Sequence, residues 1–588
     1  LSLSTINDRL DLVEEMIEYP QLRQDVIALL GHTFDSVRLV TKFTVGRGDA
    51  DDLMELSKTI LTTEEIVNNL KEHSISRNAI PLSPETQTME TRRRQCLNLL
   101  QKRFELNTPL QLARRIRDAI DEDGLSEYHR RESDQATEME DFASDVLGRE
   151  AGEEDLKDLP KRIQPKPHAI APSFKPATDG RDDIWIMKRD ASPTLKRLHD
   201  TLDASLESKA ALEQQLRQDL GAESLTLKWT PNLAHIAHVK GRDATRPVLI
   251  ESYPRALSSS KSTRSFAVPE WTKLGVKLDE TRFRIRQAEQ ALLSTLRAAV
   301  VTNLVKLRRN AAVLDELDVA TAFAVLAIEK SLVRPILNAG TGMNIVGGRH
   351  PVVEAGLEKG GRRFAPNDCR LNTSPENERI WLITGPNMAG KSTYLRQNAL
   401  LAILAQTGSF VPAEYAEMGL VDKVFSRVGS ADNLYADQST FMIEMLETAQ
   451  ILKEATERSF VIMDEVGRGT TPEDGIAVSY ASLHHLYHTN KSRTLFATHF
   501  HALADMTRDF ENLGCHCNDV AEDADGSFSY VHRLRRGVNR ESHALKVARV
   551  AGLPEDAIAV AAGVLETLKP GVVGGHGGEG QERRAAGE

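Results

Sequence analysis

Residues 379–408 read RIWLITGPNMAGKSTYLRQNALLAILAQTG, and this stretch decides the fold. Ile380 to Thr384 is a short apolar run of the kind that forms a strand buried on both faces. It leads directly into Gly385-Pro386-Asn387-Met388-Ala389-Gly390-Lys391-Ser392, which fits the phosphate-loop pattern G-x-x-x-x-G-K-[ST]. An amphipathic helix follows, so strand, loop and helix come in the order the pattern requires. The glycines let the backbone curl until successive N–H groups face phosphate oxygens, and the helix adds the positive end of its dipole. Gly385, Pro386, Asn387, Met388, Ala389, Gly390, Lys391, Ser392 and Thr393 are therefore candidate nucleotide contacts. Lys391 should reach the β- and γ-phosphates of ATP, and the Ser392 hydroxyl should ligate Mg²⁺.

Two more apolar runs supply acids and a base. Ser459 to Met463 ends in Asp464-Glu465, as expected of a parallel strand delivering carboxylates to the C-terminal edge of a sheet. Asp464 is the second candidate metal ligand, and Glu465 is placed to orient or deprotonate the attacking water. An acid pair after a core strand can also be plain surface, but downstream of a phosphate loop the catalytic reading is favoured. Arg493 to Thr498 delivers His499, which is expected beside the γ-phosphate.

Outward from this centre the texture changes. The 588 residues suffice for several domains. The net charge of −11 gives no bulk signal for nucleic acid, although local basic patches can still bind phosphate. Cys96, Cys369, Cys515 and Cys517 make no disulfide framework, which fits a reducing compartment. Cys515-His516-Cys517 lacks a second ligand pair at zinc-like spacing. No apolar run is long enough to cross a bilayer. The sequence opens at Leu1 directly in helical patterning, which reads as a fragment whose targeting peptide, if any, lies upstream.

Residues 1–125 show apolar residues at three- and four-residue spacing and read as helices. Residues 126–183, acidic and then proline-rich, read as a disordered insertion that buries too little apolar surface to order itself. Ser192-Pro193 looks like a helix start, with a capping hydroxyl before a proline at the first helical position. Residues 225–268 alternate like strands, and a second long helix is expected from about Thr272 to Arg309. A helix out, a β tip and a helix back make a lever. The tip carries Lys240, Arg242, Lys261 and Arg264, candidates for contacting DNA phosphates.

Four strings together resemble the MutS family of DNA mismatch-repair proteins: TGPNMAGKSTYLRQNALLAILAQTGSFVPA, RVGSADNL…STFMIEMLETAQIL, MDEVGRGTTPEDG and TLFATHF. INDRLDLVEEMIEYPQLRQDV, LDELDVATAFAVLA and GRHPVVE extend the resemblance on both sides. It implies a mainly α lever/core region with a small β clamp, followed by an α/β P-loop ABC-type ATPase domain and a C-terminal helix-turn-helix. The corresponding boundaries are core and lever helices over 1–125, the insertion over 126–183, a lever helix over 184–222 and the clamp over 223–271. Returning helices take 272–345, the ATPase domain 346–535, the helix-turn-helix dimerisation element 536–568, and a disordered glycine-rich tail 569–588.

The resemblance also implies an ATPase dimer, homo- or heteromeric, on mismatched double-stranded DNA. Each site is completed by the partner's Ser439-Thr440. Gly467, Arg468, Gly469, Thr470 and Asp474 are implied in the loop crossing the dimer interface. Phe364 and His532 match positions that sandwich adenine, and Asn387 one near the attacking water. Asp437-Gln438 and RESHALKVA depart from the bacterial pattern and look like the mitochondrial branch, with the nucleus as the alternative address. No phenylalanine here is followed two residues later by glutamate, so the family's mismatch-reading Phe-x-Glu domain is expected outside this fragment. The alternative function is a MutS-related clamp that binds branched recombination intermediates without reading mismatches.

Overall fold

A computed structural model describes residues 1–79, 87–150, 184–374, 377–386, 389–428, 440–522, 528–540, 545, 548–549 and 551–568. The chain divides into two units, one of Gln24–Pro84 and Leu97–Asp318, the other of Leu1–Arg23, Glu85–Cys96 and Val319–Glu588.

The chain begins with seven helices: α1 (Leu3–Glu18), α2 (Pro20–Leu30), α3 (Ser36–Thr44), α4 (Ala50–Asn78), α5 (Gln87–Lys102), α6 (Asn107–Ala119) and α7 (Glu122–Glu150). Helix α4 starts on a reciprocal capping box between Asp49 and Asp52, which satisfies two orphan amides at once. Helix α8 (Pro193–Asp219) opens where the sequence indicates, with the Ser192 side chain accepting from the Leu195 N–H.

Next comes an antiparallel sheet of β1 (Thr226–Thr230), β2 (Ala234–Lys240), β3 (Ser258–Ser259) and β4 (Thr263–Phe266), in the order β1-β2-β4-β3. Between β2 and β3 the expected strand character gives way to a 3₁₀ turn and a short helix, α9 (Pro247–Ser252), which proline starts at its first position. Helix α10 (Pro269–Thr302) packs beside α8, and Leu195, Leu202, Leu278, Ile285 and Leu296 join one core with the sheet's Leu227, Val239 and Phe266.

Two further expectations need correction. The acidic stretch expected to be disordered from residue 126 is helical to Glu150. Its Glu, Ala, Met and Arg are good helix formers, and Glu127 pairs with Arg130 and Arg131 at helical spacing. The proline-rich remainder, 151–183, lies outside the described residues. The helix expected from 272 to 309 instead breaks at Asn303, whose side-chain amide donates to the Ala299 carbonyl, and resumes as α11 (Leu304–Glu329). No proline or glycine marks that break in the sequence.

The second unit holds two sheets. One is β5 (Ile336–Asn338), β9 (Tyr415–Gly419), β6 (Met343–Gly348) and β7 (Asn367–Leu371), in that order, with α12 (Pro351–Lys359) between β6 and β7 in the chain. The other is six-stranded and runs β10 (Val424–Arg427), β11 (Phe460–Asp464), β12 (Arg493–Thr498), β8 (Ile380–Thr384), β13 (Leu513–Glu522), β14 (Phe528–Arg536). Its pairs are parallel except β13–β14. Strands β8, β11 and β12 are buried at every residue, as their continuous apolar runs demand. Register places Asp464 opposite Ala497 and Thr498 opposite Thr384, so three strands end at one edge. Helices α13 (Lys391–Thr407), α14 (Thr440–Glu454), α15 (Pro472–His485) and α16 (Ala502–Met506) complete this unit together with α17 (Glu555–Leu568). Helix α17 falls in the expected helix-turn-helix; residues 541–544, 546–547, 550 and the tail from 569 lie outside the described residues.

Among the described residues no helix is long and apolar enough to cross a membrane, and no group of three His, Cys, Asp or Glu could hold a metal. His516, between two cysteines, stacks on Trp381 with centroids 3.8 Å apart.

Candidate nucleotide site

The glycine loop leaves β8 with Gly385 at φ 148° and enters α13 with Gly390 at φ 93°. L-residues rarely adopt either conformation, which accounts for glycine at both ends of the turn. Lys391 is buried, and its Nζ donates to the carbonyls of Gly385 at 2.7 Å and Pro386 at 3.0 Å. Burial lowers its proton affinity, against the opposing pull of Glu465 and Asp464. The loop is braced from behind. The Asn518 amide on β13 donates to the Ala389 carbonyl at 3.0 Å, and His532 Nδ1 lies 3.2 Å from the same oxygen. Asn387 and Met388 lie outside the described residues.

The acid pair stands on β11, separated from β8 by β12, yet it meets the loop. Helix α13 packs against β11, and the Ser392 side chain lies near enough to the Asp464 carboxylate to favour its charged form. Asp464 is 4% exposed, and its Oδ1 has no hydrogen-bond partner. Desolvation raises its pKa, with Ser392 and Lys391 opposing.

Glu465 is shifted the other way. Its carboxylate is engaged by His499 Nε2 and by Arg468, and its pKa is pulled down to about 2, chiefly by the His499 hydrogen bond. Its backbone is left-handed, with φ 53°. Such a conformation persists only where the surroundings over-determine it. Here the Glu465 N–H donates to the Ala497 carbonyl at 3.0 Å, the buried Ser479 hydroxyl donates to the Val466 carbonyl, and the Gly467 N–H donates to Glu444. His499, expected at the γ-phosphate, thus sits on Glu465. Beside it His501 has its pKa lowered, first by burial and then by His499, Arg540 and Lys391.

Gly467, at φ 84°, lies against Gly475, where an added Cβ would stand 2.5 Å from the Gly475 carbonyl oxygen. Thr471 caps α15 and its hydroxyl donates to Asp474 at 2.9 Å. Arg468 and Gly469 are exposed and Thr470 half-buried, so the candidate interface loop faces outward. Phe364 is half-buried, three residues before Asn367, which donates to the His532 carbonyl at 2.8 Å and accepts from the Leu534 N–H at 2.8 Å. Ser439 lies outside the described residues, and Thr440 is the first residue of α14.

In the other unit Lys240, Arg242 and Lys261 are exposed, whereas Arg264 donates to the Tyr253 carbonyl at 2.9 Å and the Pro254 carbonyl at 3.2 Å. Sequence reasoning missed Asn518 and Glu444. For Glu444 the available signal is an acid on the buried side of an amphipathic helix; Asn518, in a strand that also holds His516 and Asp519, carries none.

Two family models match the chain, MutS domain III over residues 1–324 and MutS domain V over residues 381–569. The DNA mismatch repair protein MutS of Azorhizobium caulinodans is 44% identical over 376 residues, covering 62% of this chain and 40% of that protein. Its counterpart from Dinoroseobacter shibae is 40% identical over 365 residues, covering 62% and 41%. That from Nitrobacter winogradskyi is 36% identical over 450 residues, covering 73% and 50%. The matched stretches thus span two fifths to half the length of these curated relatives.

Proposed function

The chain belongs to the MutS family, and from that premise we propose that it is the clamp-bearing, ATP-hydrolysing part of a DNA mismatch-repair protein. The closeness of Ser392 and Lys391 to Asp464 carries the reading, because it brings the end of the glycine loop to the acid strand across an intervening strand.

The loop amides and the N-terminus of α13 receive the triphosphate. Lys391 exchanges its two carbonyl contacts for phosphate oxygens, whose charge restores the proton affinity that burial lowers. The donor set fits Mg²⁺: the buried Asp464 Oδ1 lacks a hydrogen-bond partner and the Ser392 side chain lies beside the same carboxylate. When bound, the ion supplies neutralisation of charge on the β- and γ-phosphate oxygens. Glu465, with a pKa of about 2, stays ionised but weakly basic, which favours orienting the attacking water over removing its proton. His499 and Arg468 hold that carboxylate in place.

The protein acts as one subunit of a dimer on double-stranded DNA. Ser439-Thr440 completes the partner's site, and Gly467 to Asp474 crosses between subunits. Phe364 and His532 flank the adenine. Lys240, Arg242 and Lys261 contact DNA phosphates at the clamp. ATP then favours a closed dimer, since γ-phosphate contacts from both subunits exist only when closed. A mitochondrial address is proposed from Asp437-Gln438 and the Arg540–Ala548 string; a nuclear signal from the tagged full-length protein would overturn it.

The test is ATPase activity of the full-length protein with matched, mismatched and branched duplexes. Mismatched duplex should stimulate most. Equal stimulation by all three would sink the mismatch-repair reading, and strongest stimulation by branched DNA would replace it with recombination-intermediate binding.

A further inference from the structure

Glu444 lies on α14, 4% exposed, and its two carboxylate oxygens face different elements. Oε1 accepts the N–H of Gly467, two residues after Glu465. Oε2 pairs with Nη2 of Arg427 at 3.2 Å, and Arg427, at the end of β10, is itself only 5% exposed. The Arg427 Nε also lies 3.3 Å from Glu447, one turn further along α14. Arg427 and Glu444 therefore tie the end of β10 to α14 beside the turn that carries Glu465.

A buried ion pair is weak evidence for stability, because desolvation cancels much of the attraction, so its role is better sought in geometry. This one has a specific geometric consequence. The same carboxylate joins the end of β10 to the backbone of the turn that holds Glu465 left-handed.

We infer that Glu444, held by Arg427, is a positioning residue that fixes the turn carrying Glu465 through the Gly467 N–H. This inference rests on the proposed function for the role of Glu465. Glu444 touches neither nucleotide nor metal. Loss of Glu444 should spare nucleotide binding, which belongs to Lys391 and the loop, and slow the hydrolytic step that depends on Glu465.

The experiment compares wild type, Glu444→Ala, Glu444→Gln and the double variant Arg427→Met/Glu444→Leu in the full-length protein. The double variant removes both buried charges together, so folding is retained while the Gly467 acceptor is lost. Thermal unfolding, affinity for a fluorescent ATP analogue, kcat, and hydrogen exchange of the Gly467 amide are read on each.

For the double variant a melting temperature near wild type is expected, with analogue affinity within 3-fold, kcat reduced about 10-fold or more, and Gly467 exchange clearly faster. Glu444→Gln, which keeps an acceptor oxygen, should fall between wild type and Glu444→Ala. A folded double variant with wild-type kcat and wild-type Gly467 exchange overturns the positioning role. Should wild type itself show no Lys391-dependent hydrolysis, the functional reading fails instead, and Gly467 exchange still decides whether Glu444 holds the turn.

Discussion

Lys391 and Asp464 at the edge of the six-stranded sheet are buried, while Lys240, Arg242 and Lys261 on the four-stranded sheet are exposed. Both regions gather charge proposed to meet phosphate. In the first, each group has neighbours that shift it: burial raises Asp464 and lowers Lys391, and His499 draws Glu465 down. In the second, the lysines and Arg242 keep water around them and act by number. Individual side chains should therefore matter greatly at the sheet edge and little at the tip, where salt concentration should matter more.

The largest effect expected is from Lys391→Ala, with kcat/KM for ATP reduced at least ~10³-fold, about 4 kcal/mol of transition-state stabilisation. A variant retaining more than a tenth of wild-type activity would erase the contrast between the two regions. Gly467→Ala comes next. Its Cβ would meet the Gly475 carbonyl oxygen, and φ 84° strains any L-residue. About 2 kcal/mol of stability should be lost, read by denaturant unfolding.

Asp464→Asn sharpens the contrast within the site. A carboxylate whose pKa is raised by burial penalises the folded state at every pH above that raised value, and the penalty fades as pH falls below its unfolded pKa. The asparagine variant should therefore melt slightly higher than wild type at neutral pH while losing hydrolysis. The advantage should vanish at acid pH. Glu465→Gln should show the opposite sign. A depressed pKa adds stability above the unfolded value, and that stability is lost as pH falls from about 4.5 toward about 2. The glutamine variant should be less stable at neutral pH, with the gap to wild type closing in acid.

The smallest effect is at the tip. Lys240→Ala, Arg242→Ala and Lys261→Ala should each weaken DNA binding only a few-fold, lower the salt slope by roughly one, and leave ATP hydrolysis without DNA unchanged. A single substitution there that abolished binding would mean base reading or a folding role.

The sequence made the two regions legible to different depths. Strands β8, β11 and β12 stand within a residue of where their apolar runs place them, because burial on both faces leaves little choice of element. Gly385 and Gly390 carry the positive φ that their pattern implies. What lies between strands was hidden. The left-handed Glu465, the His499 pairing and the Glu444 contacts all depend on which strands become neighbours, and no local spacing encodes that. Over residues 126–150 charge density points to disorder, although side chains of that composition also favour the helix that forms there. The break at Asn303 turns on one side-chain amide competing for a carbonyl.

The nucleotide pocket is tested most directly by Glu465→Ala in single-turnover hydrolysis, with ATP binding measured on the same sample. Binding should stay within about 3-fold of wild type while hydrolysis slows by two to three orders of magnitude, roughly 3–4 kcal/mol. Hydrolysis at the wild-type rate would contradict the assignment of water orientation to this carboxylate.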